Sequence, residues 1–414
     1  MKRDRKIKVG IVGLGDVSIK RFIPELMENP YFELCSVVDV LSESEKLPII
    51  RDMRRNDNVK YFQIQPFEKI PEEFFDGVDV VYVASPNEFH MYQTLNSIYR
   101  TFTVTEKPLV RNKGELTALK LETDDIKGDY SSRLFCQDHY IFKPVTMYAF
   151  AEVPRLLDNY GKIEHIKVTF FEEGNLQGLE REKWLMSPTS GGGVFIDTGC
   201  HMAGILVKVF NGEFIDCEKP GLFDMYPNYD FQCETGFYDK FSVKGEYFIP
   251  NHNNVEMKIA KGVKRHQAKT IEVNLENADL ILNYMKLGRD SEFVGNRIRK
   301  YRCHDSGFEY TDGTKIKNID GSELNELEEG LYLIEDGVCR NLIDNGRDEF
   351  KRHEYQNLLD KIRECMENGN KPFLDIEYAE RALHPVFMSY EKVGGVNNMK
   401  LERTFYVIED FVYI

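Results

Sequence analysis

The stretch from residue 7 to residue 18 restricts the possible folds more than any other part of this 414-residue chain. Residues 7–12, IKVGIV, have the continuous apolar pattern of a buried strand, and the turn GLGDVS follows directly. An amphipathic helix is predicted from Ile19 to Glu28. A strand, a glycine-rich turn and a helix in this order are typical of the first unit of a dinucleotide-binding fold.

The small residues of this turn explain why it suits a dinucleotide. Gly13 allows the tight turn, and Gly15 lets a pyrophosphate approach backbone N–H groups at the positive end of the helix. Ser18 replaces the third glycine of the fingerprint, and its small side chain still permits close packing of the helix on the strand. The predicted cofactor contacts of the turn are Gly13, Gly15, Asp16, Val17 and Ser18.

The next predicted strand, residues 34–39, ends in Asp39. An acid about twenty residues after the turn binds a ribose 2′-hydroxyl in such folds. A carboxylate at that place would repel a 2′-phosphate. Asp39 therefore favours NAD over NADP as the cofactor.

Two further strands are predicted at residues 78–84 and 101–105. Ligands of open α/β sheets bind in the crevice at the carboxyl ends of the strands, so polar residues that follow these strands are candidate cofactor contacts. They are Ser85, Asn87, His90, Glu106 and Lys107. A solvated surface charge remains the alternative for Lys107.

A sixth strand at about residues 132–137 leads into the segment DHYIFKP, which we interpret as the crossing between two domains, 1–137 and 138–414. His139, Tyr140 and Lys143 offer hydrogen-bond donors and a cation, which could hold a phosphate or several hydroxyls. An interdomain packing cluster with Lys143 in water is the open alternative.

The second domain shows a different pattern. Residues 163–171 alternate as a strand, and strand-like runs recur at 245–249, 255–259 and 270–275, which predicts an α+β domain with a largely antiparallel sheet. Long loops are expected over residues 284–330. Helices are predicted around residues 355–366 and 376–390. An antiparallel sheet with one uncovered face predicts a homodimer or homotetramer.

The segment GGGVFIDTGCH, residues 191–201, is the second candidate for chemistry. If residues 197–208 are helical, Asp197 and His201 share a face and form a candidate acid/base pair. His201 has the ordinary pKa of a base for oxidising an alcohol, and Asp197 would orient the imidazole or bind a neighbouring hydroxyl. A glycine-rich loop with a core histidine is the structural alternative. No cluster of metal ligands is evident, and no metal is expected.

Composition excludes several classes of protein. The net charge of −15 and the pI near 5.2 argue against nucleic acid and anionic membranes as partners. The chain has no apolar run long enough to span a bilayer, and residues 1–6 lead into the first strand without the apolar region of a signal peptide. Its eight cysteines lack the spacing of a disulfide framework or a metal site. We therefore expect a cytoplasmic protein with reduced thiols.

Four motifs in order, GLGDVS, SPNEFH, EKP and GGGVFIDTGCH, resemble the Gfo/Idh/MocA oxidoreductases. That family consists of NAD(P)-dependent enzymes acting mainly on sugars, polyols and their derivatives. The resemblance implies that Lys107 is the catalytic lysine, which would stabilise a developing alkoxide, Asp197 the acid and His201 the acid/base residue. The chain departs from the family at Ser18 and is longer than many members.

The segment DHYIFK is similar, more faintly, to the DHYLGK-type segment of glucose-6-phosphate dehydrogenases, with Phe142 in place of the glycine. This similarity implies a phosphorylated sugar as substrate, while a free sugar, a polyol or a nucleotide sugar stays open. The candidate substrate-binding residues are Lys107, His139, Tyr140, Lys143, Trp184, Asp197 and His201. Two other functions remain open: redox-neutral chemistry on a sugar with tightly bound NAD, as in an epimerase or a glycoside hydrolase, and non-catalytic NAD sensing.

Overall fold

A computed structural model describes twelve segments of the chain. They are residues 5–45, 59–123, 130–172, 195–217, 221–223, 239–249, 252–261, 268–287, 301–304, 307–310, 315–343 and 353–393. Two sheets and the helices packed on them account for most of these residues. Among the described helices, none is both long enough and apolar enough to cross a bilayer.

The first sheet is parallel and contains six strands in the order β3-β2-β1-β4-β5-β6. The strands are β1 (Ile7–Val12), β2 (Phe32–Asp39), β3 (Lys60–Gln63), β4 (Val80–Val83), β5 (Phe102–Thr105) and β6 (Leu134–Cys136). Every residue of β4 is buried, because helices cover both faces of a parallel sheet. The strand order reverses between β1 and β4, which opens a crevice at the carboxyl ends of those strands.

The predicted helix after β1 has two parts. Ser18–Phe22 forms a π-helical turn, and α1 continues from Ile23 to Glu28. Pro24 lies in the first turn of α1 and has no backbone N–H to donate, which is consistent with the change of hydrogen-bond pattern at this point. Phe22 stacks on Tyr82 of β4 with ring centroids 3.7 Å apart and anchors the turn to the sheet.

The second sheet contains ten strands, and its main path runs β16-β18-β17-β13-β12-β7-β11-β10-β8, with β9 beside β10. The strands are β7 (Ile163–Glu172), β8 (Glu213–Cys217), β9 (Gly221–Phe223), β10 (Asp239–Ile249), β11 (His252–Lys261), β12 (Ala268–Leu275), β13 (Asp279–Asn283), β16 (Lys317–Asn318), β17 (Gly330–Glu335) and β18 (Val338–Asn341). Most neighbours are antiparallel, while β7 and β11, and β16 and β18, are parallel. The predicted combination of a Rossmann domain and an α+β domain is confirmed.

The remaining helices join the two sheets into one apolar core. They are α2 (Asn87–Ile98), α3 (Lys113–Thr123), α4 (His139–Phe142), α5 (Pro144–Tyr160), α6 (Cys200–Phe210), α7 (Glu354–Asn368) and α8 (Ile376–Val393). Helix α8 packs on α6 and on β6, and α7 packs on α1 and α4. These contacts bring the start of α6 to the carboxyl ends of β5 and β6.

The expectation of long loops over residues 284–330 is wrong in part. Within that range β14 (Tyr301–His304) and β15 (Gly307–Tyr310) form a hairpin, and β16 pairs with β18. Leu287, Ile316, Leu324 and Leu327 pack in a second apolar cluster on the face of the sheet opposite the helices. Apolar side chains without a regular spacing thus hold residues 316–327 on the sheet.

Candidate active site

The glycine-rich turn has the geometry of a pyrophosphate cradle. Gly13 has a φ of +90°, and a Cβ there would lie 2.7 Å from the backbone nitrogen of Ser85, so a side chain is excluded. A Cβ on Gly15 would meet its nearest neighbour, the Ala84 oxygen, only at 3.9 Å. The buried Ser18 hydroxyl donates to the Gly13 carbonyl oxygen over 2.7 Å, which explains how serine replaces the third glycine.

The carboxylate of Asp39 is fixed beside this turn. Its Oδ2 accepts the Leu14 N–H at 2.6 Å, and its Oδ1 accepts the Leu41 N–H at 2.9 Å. Asp16 lies at the surface and pairs with Lys20 at 2.8 Å. The carboxylate of Asp39 is thus placed at the end of β2, where the sequence predicts the ribose contact.

The segment after β4 contains the partly buried Ser85 and the buried Asn87 and His90. The Ser85 hydroxyl donates to Oε1 of Gln93, and Asn87 is buried in the first turn of α2. The buried His90 ring contacts the carbonyl oxygens of Ser85 and Pro108, each at 2.7 Å, and burial lowers its pKa. His90 therefore ties the ends of β4 and β5 together.

Glu106 follows β5 and is buried. The Tyr82 hydroxyl donates to its Oε1, and burial raises the pKa of Glu106 to about 7. Tyr82 has no signal in the sequence, because an aromatic residue inside a buried strand has the pattern of an ordinary core residue.

Lys107 joins the two parts of the molecule. Its Nζ donates to the backbone oxygen of Asp197 at 2.7 Å and to Oδ1 of Asp197 at 2.9 Å. Asp197 belongs to a π-helical turn, Phe195–Gly199, that precedes α6. Burial works against the charge on Lys107, but the neighbouring Asp197 outweighs it and raises the pKa of the ammonium group. Lys107 is therefore a cation at the end of β5 whose position is fixed by Asp197.

The imidazole of His201 is oriented by Asp138. Its Nδ1 lies 2.6 Å from Oδ1 of Asp138, which also accepts the Tyr140 N–H at 3.0 Å. The Tyr378 hydroxyl donates to the other oxygen of Asp138 at 3.0 Å. Burial lowers the pKa of His201, and the Asp138 charge opposes that shift. The expectation that Asp197 orients the imidazole is thus corrected, because Asp197 hydrogen-bonds Lys107 instead.

The predicted substrate residues surround His201. The His139 ring lies 4.7 Å from the His201 ring and the Tyr140 ring 4.6 Å from it, measured between centroids. Burial and the neighbouring cations hold the pKa of His139 well below its usual range. The Nζ of Lys143 lies 5.4 Å from the Tyr140 ring centroid and 3.4 Å from Glu329. Trp184 and the glycines at 191–193 lie outside the described residues.

One further lysine near Tyr140, besides Lys107 and Lys143, was not predicted. Lys269 of β12 donates to the Tyr140 hydroxyl at 3.3 Å, and its Nζ lies 4.9 Å from the Phe170 ring centroid. The sequence indicates Asp138 only as part of the DHYIFK segment and gives no indication of Tyr378. Their partners are 63 and 240 residues away in the chain, which no local pattern can reveal.

Asp138, His139 and His201 also form a group that could hold a metal ion, since their ligand atoms lie within 4.8 Å of one another. The oxygens of Asp138 already accept three hydrogen bonds. The charge of Lys107 also lowers the pKa of both histidines, so it would repel a metal cation. The arrangement therefore favours hydrogen bonding over metal binding.

The comparisons with known proteins concern the sequence of the first sheet and the fold of nearly the whole chain. Residues 7–125 match the family model described as "Oxidoreductase family, NAD-binding Rossmann fold", that of the Gfo/Idh/MocA proteins. The resemblance to the Gfo/Idh/MocA oxidoreductases is confirmed. The match in sequence covers residues 7–125, and nearly the whole chain shares its fold with solved structures. No curated protein sequence matches the chain.

Three solved structures illustrate the range of this fold. Aldose-aldose oxidoreductase from Caulobacter crescentus, solved with glycerol, has a TM-score of 0.67 at 14% identity, covering 94% of this chain and 98% of its own. The WlbA dehydrogenase from Bordetella pertussis, solved with NADH and UDP-GlcNAcA, has 0.65 at 13%, covering 95% and 96%. Biliverdin reductase from Synechocystis, solved with biliverdin and NADP⁺, has 0.63 at 16%, covering 94% and 99%. These likenesses concern the fold.

Proposed function

We propose that the protein is an NAD-dependent dehydrogenase of a sugar, sugar phosphate or polyol, with Lys107, Asp197 and His201 at the reacting hydroxyl. The observation that carries the proposal is that Lys107, at the end of β5, hydrogen-bonds Asp197 and lines one cavity with Asp138, the residue that holds His201. Such a group can bind a hydroxyl, accept its proton and stabilise the charge that develops on its oxygen.

The described residues fit a nicotinamide dinucleotide. The space beside Gly15 leaves its backbone open, and the Asp39 carboxylate is held next to the turn. These residues would hold the pyrophosphate and the adenosine ribose. The cofactor supplies the hydride acceptor when bound. All other parts of the proposed chemistry belong to the protein.

His201 is the proposed base. Its Nδ1 is engaged by Asp138, so its Nε2 is left to receive the proton of a substrate hydroxyl. Burial favours the neutral imidazole, which is the form that can accept that proton. The nearby Lys107 would stabilise the alkoxide oxygen, and the backbone and carboxylate of Asp197 keep the ammonium group in place.

The positive charges around Tyr140 favour an anionic substrate such as a sugar phosphate or a sugar acid. Lys143 and Lys269 contact Tyr140, and the charge of Lys107 lowers the pKa of the adjacent His139, in a chain whose net charge is −15. Lys143 reaches Glu329 only at 3.4 Å, and an incoming phosphate could compete for it. Replacing Lys143 by Ala should raise KM strongly for a phosphorylated substrate and hardly at all for the corresponding free sugar. An equal rise for both would argue against a phosphate at Lys143.

The central test is a screen of sugars, sugar phosphates, inositols and nucleotide sugars for NADH formation, followed by variants on the best substrate. Lys107→Ala and His201→Ala should each lower turnover by about two orders of magnitude or more, with NAD affinity within a few fold of wild type. Lys286→Ala, at an exposed position, is the matched control for the lysine. Near-normal turnover of His201→Ala would place the base elsewhere. Turnover of substrate without added NAD would instead support redox-neutral chemistry with retained cofactor.

A further inference from the structure

A small cavity lies behind the candidate active site, between the ends of β5 and β6 and helix α8. Its lining includes Gln137, Asp138, Tyr378 and Lys107, together with apolar side chains such as Leu109 and Leu383. Of the twelve lining residues, eleven are buried and Lys107 is partly exposed. The cavity is therefore lined almost entirely by buried residues, with Lys107 on the side of the candidate active site.

Gln137 is the unexplained group in this cavity. The residue is 1% exposed, and neither Nε2 nor Oε1 of its amide has a hydrogen-bond partner in the part of the chain that the structure describes. Its backbone N–H is used by the Thr105 carbonyl, so the strand is satisfied and the side chain alone is not. A buried amide with both ends unpaired is costly, and native proteins usually satisfy such groups with ordered water.

The cavity has the size and the polar groups that one water molecule needs. About 20 Å³ is open to the centre of a water molecule, whereas one water requires only about 10–15 Å³ of such space. The polar residues of the wall include Gln137, Tyr378 and Asp138, beside Thr105, Lys107 and Cys200. A buried water typically makes about three hydrogen bonds.

The hydrogen bond between Asp138 and Tyr378 needs a residue without a side chain at position 204 of helix α6. A Cβ on Gly204 of α6 would lie 2.2 Å from the Tyr378 hydroxyl and 3.0 Å from Oδ2 of Asp138. Glycine at this position therefore makes room for the tyrosine to reach the carboxylate. The same carboxylate holds His201 through its other oxygen.

We propose that this cavity is a built water site, in which a water molecule held by the Gln137 amide hydrogen-bonds the Asp138–Tyr378 pair from behind. Gln137 is then a positioning residue for His201: it acts through the water on Asp138, and through Asp138 on the imidazole. The positioning role rests on the proposed dehydrogenase function. The water site itself does not.

The first test is a crystal structure of the full chain at a resolution that shows ordered water. Wild type should show water within hydrogen-bond distance of the Gln137 amide and of Tyr378 or Asp138. A dry cavity, or a Gln137 amide rotated onto a protein partner, would overturn the water site whether or not the protein is a dehydrogenase.

Two substitutions test the site in solution. Gln137→Leu removes the amide at similar size, and Gln137→Asn keeps an amide and leaves more room for water. If water is bound, the leucine variant loses it and should melt below the asparagine variant. If the amide is unpaired and dry, the leucine variant should melt at or above wild type, because an unsatisfied polar group has been removed, and that result would overturn the proposal.

Kinetics then test the positioning role. Gln137→Leu should lower kcat several fold while leaving the KM for NAD unchanged, and Gln137→Asn should restore most of the loss. Unchanged kcat in the leucine variant, with water present in the wild-type crystal, would refute the positioning role alone. Failure of wild type to oxidise any substrate would refute the proposed function and leave the crystal and melting results standing.

Discussion

At the scale of single residues, the contact between Asp138 and His201 affects the protonation state of the proposed base, His201. Burial lowers the pKa of His201, and the Asp138 charge raises it. Asp138→Asn removes the charge and should lower this pKa further. Because the base works as neutral imidazole, the acid limb of the kcat/KM profile against pH should move to lower pH.

The same substitution should lower maximal turnover by about one to three orders of magnitude, since an amide does not fix the imidazole tautomer as a carboxylate does. The measurement is the pH profile with the best substrate. Asp320→Asn, at an exposed position, is the control. A profile that kept its acid limb in place would contradict the assigned role of Asp138.

Asp39 carries a second prediction at this scale. Its carboxylate is fixed by the Leu14 and Leu41 N–H groups, so it cannot easily turn away from a 2′-phosphate. NAD(H) should bind at least about tenfold more tightly than NADP(H), a difference of about 1.4 kcal/mol. Titration of both cofactors by intrinsic fluorescence measures it, with Asp76→Asn, an exposed acid, as control. Equal affinities would remove Asp39 from this role.

Sequence motifs identify the three proposed catalytic residues, but they do not identify the residues that hold these side chains in place. Lys107, Asp197 and His201 were predicted because each lies within a short motif. The sequence does not predict that Asp138 holds His201 or that Tyr378 holds Asp138, because a hydrogen bond between segments far apart in the chain produces no recognisable spacing of residues. A contact predicted within one helix, between Asp197 and His201, was replaced by contacts between segments.

At the scale of elements, the turn after β1 offers a matched pair of substitutions. Gly13→Ala would place a Cβ 2.7 Å from the Ser85 nitrogen at a φ of +90°, so it should destabilise the fold. Gly15→Ala meets nothing closer than 3.9 Å and should fold normally.

Cofactor binding should separate these two variants. The methyl group of Gly15→Ala would occupy the approach of the pyrophosphate, so NAD affinity should fall by about tenfold or more while the melting temperature stays near that of wild type. Calorimetric titration and thermal melts measure the two quantities. Full NAD affinity in the folded Gly15→Ala protein would show that the pyrophosphate does not approach this turn.

The accuracy of the predicted elements depended on how regular the apolar pattern is. Strands β1, β5 and β7 and helix α8 were predicted within a few residues, because continuous or alternating apolar runs specify them. The π-helical turns at Ser18–Phe22 and Phe195–Gly199 were not predicted, because side-chain periodicity over five residues cannot distinguish them from α-helix. The hairpin of β14 and β15 was not predicted, because apolar residues do not recur at a regular interval in this polar segment.

At the scale of the whole molecule, one apolar core runs from the first sheet through helices α4 to α8 to the second sheet. The boundary that we propose between residues 137 and 138 falls inside this core. Gln137 still pairs with β5 through its backbone, whereas Asp138 caps α4 by accepting the Tyr140 N–H. The two proposed domains therefore meet at the site, and both contribute residues to it.

The back of the second sheet bears on assembly. At one end of this face Leu287, Ile316, Leu324 and Leu327 pack on the sheet, and we expect a partner at the other end, toward β11, β10 and β8. We predict a homodimer or homotetramer at micromolar concentration, because a broad sheet face that a chain leaves uncovered is usually buried against another subunit. Light scattering gives the mass directly. Leu324→Asp should weaken the packing of the covering segment and lower the melting temperature without dissociating the oligomer, since the partner lies at the opposite end. A wild-type monomer at micromolar concentration would contradict the predicted assembly.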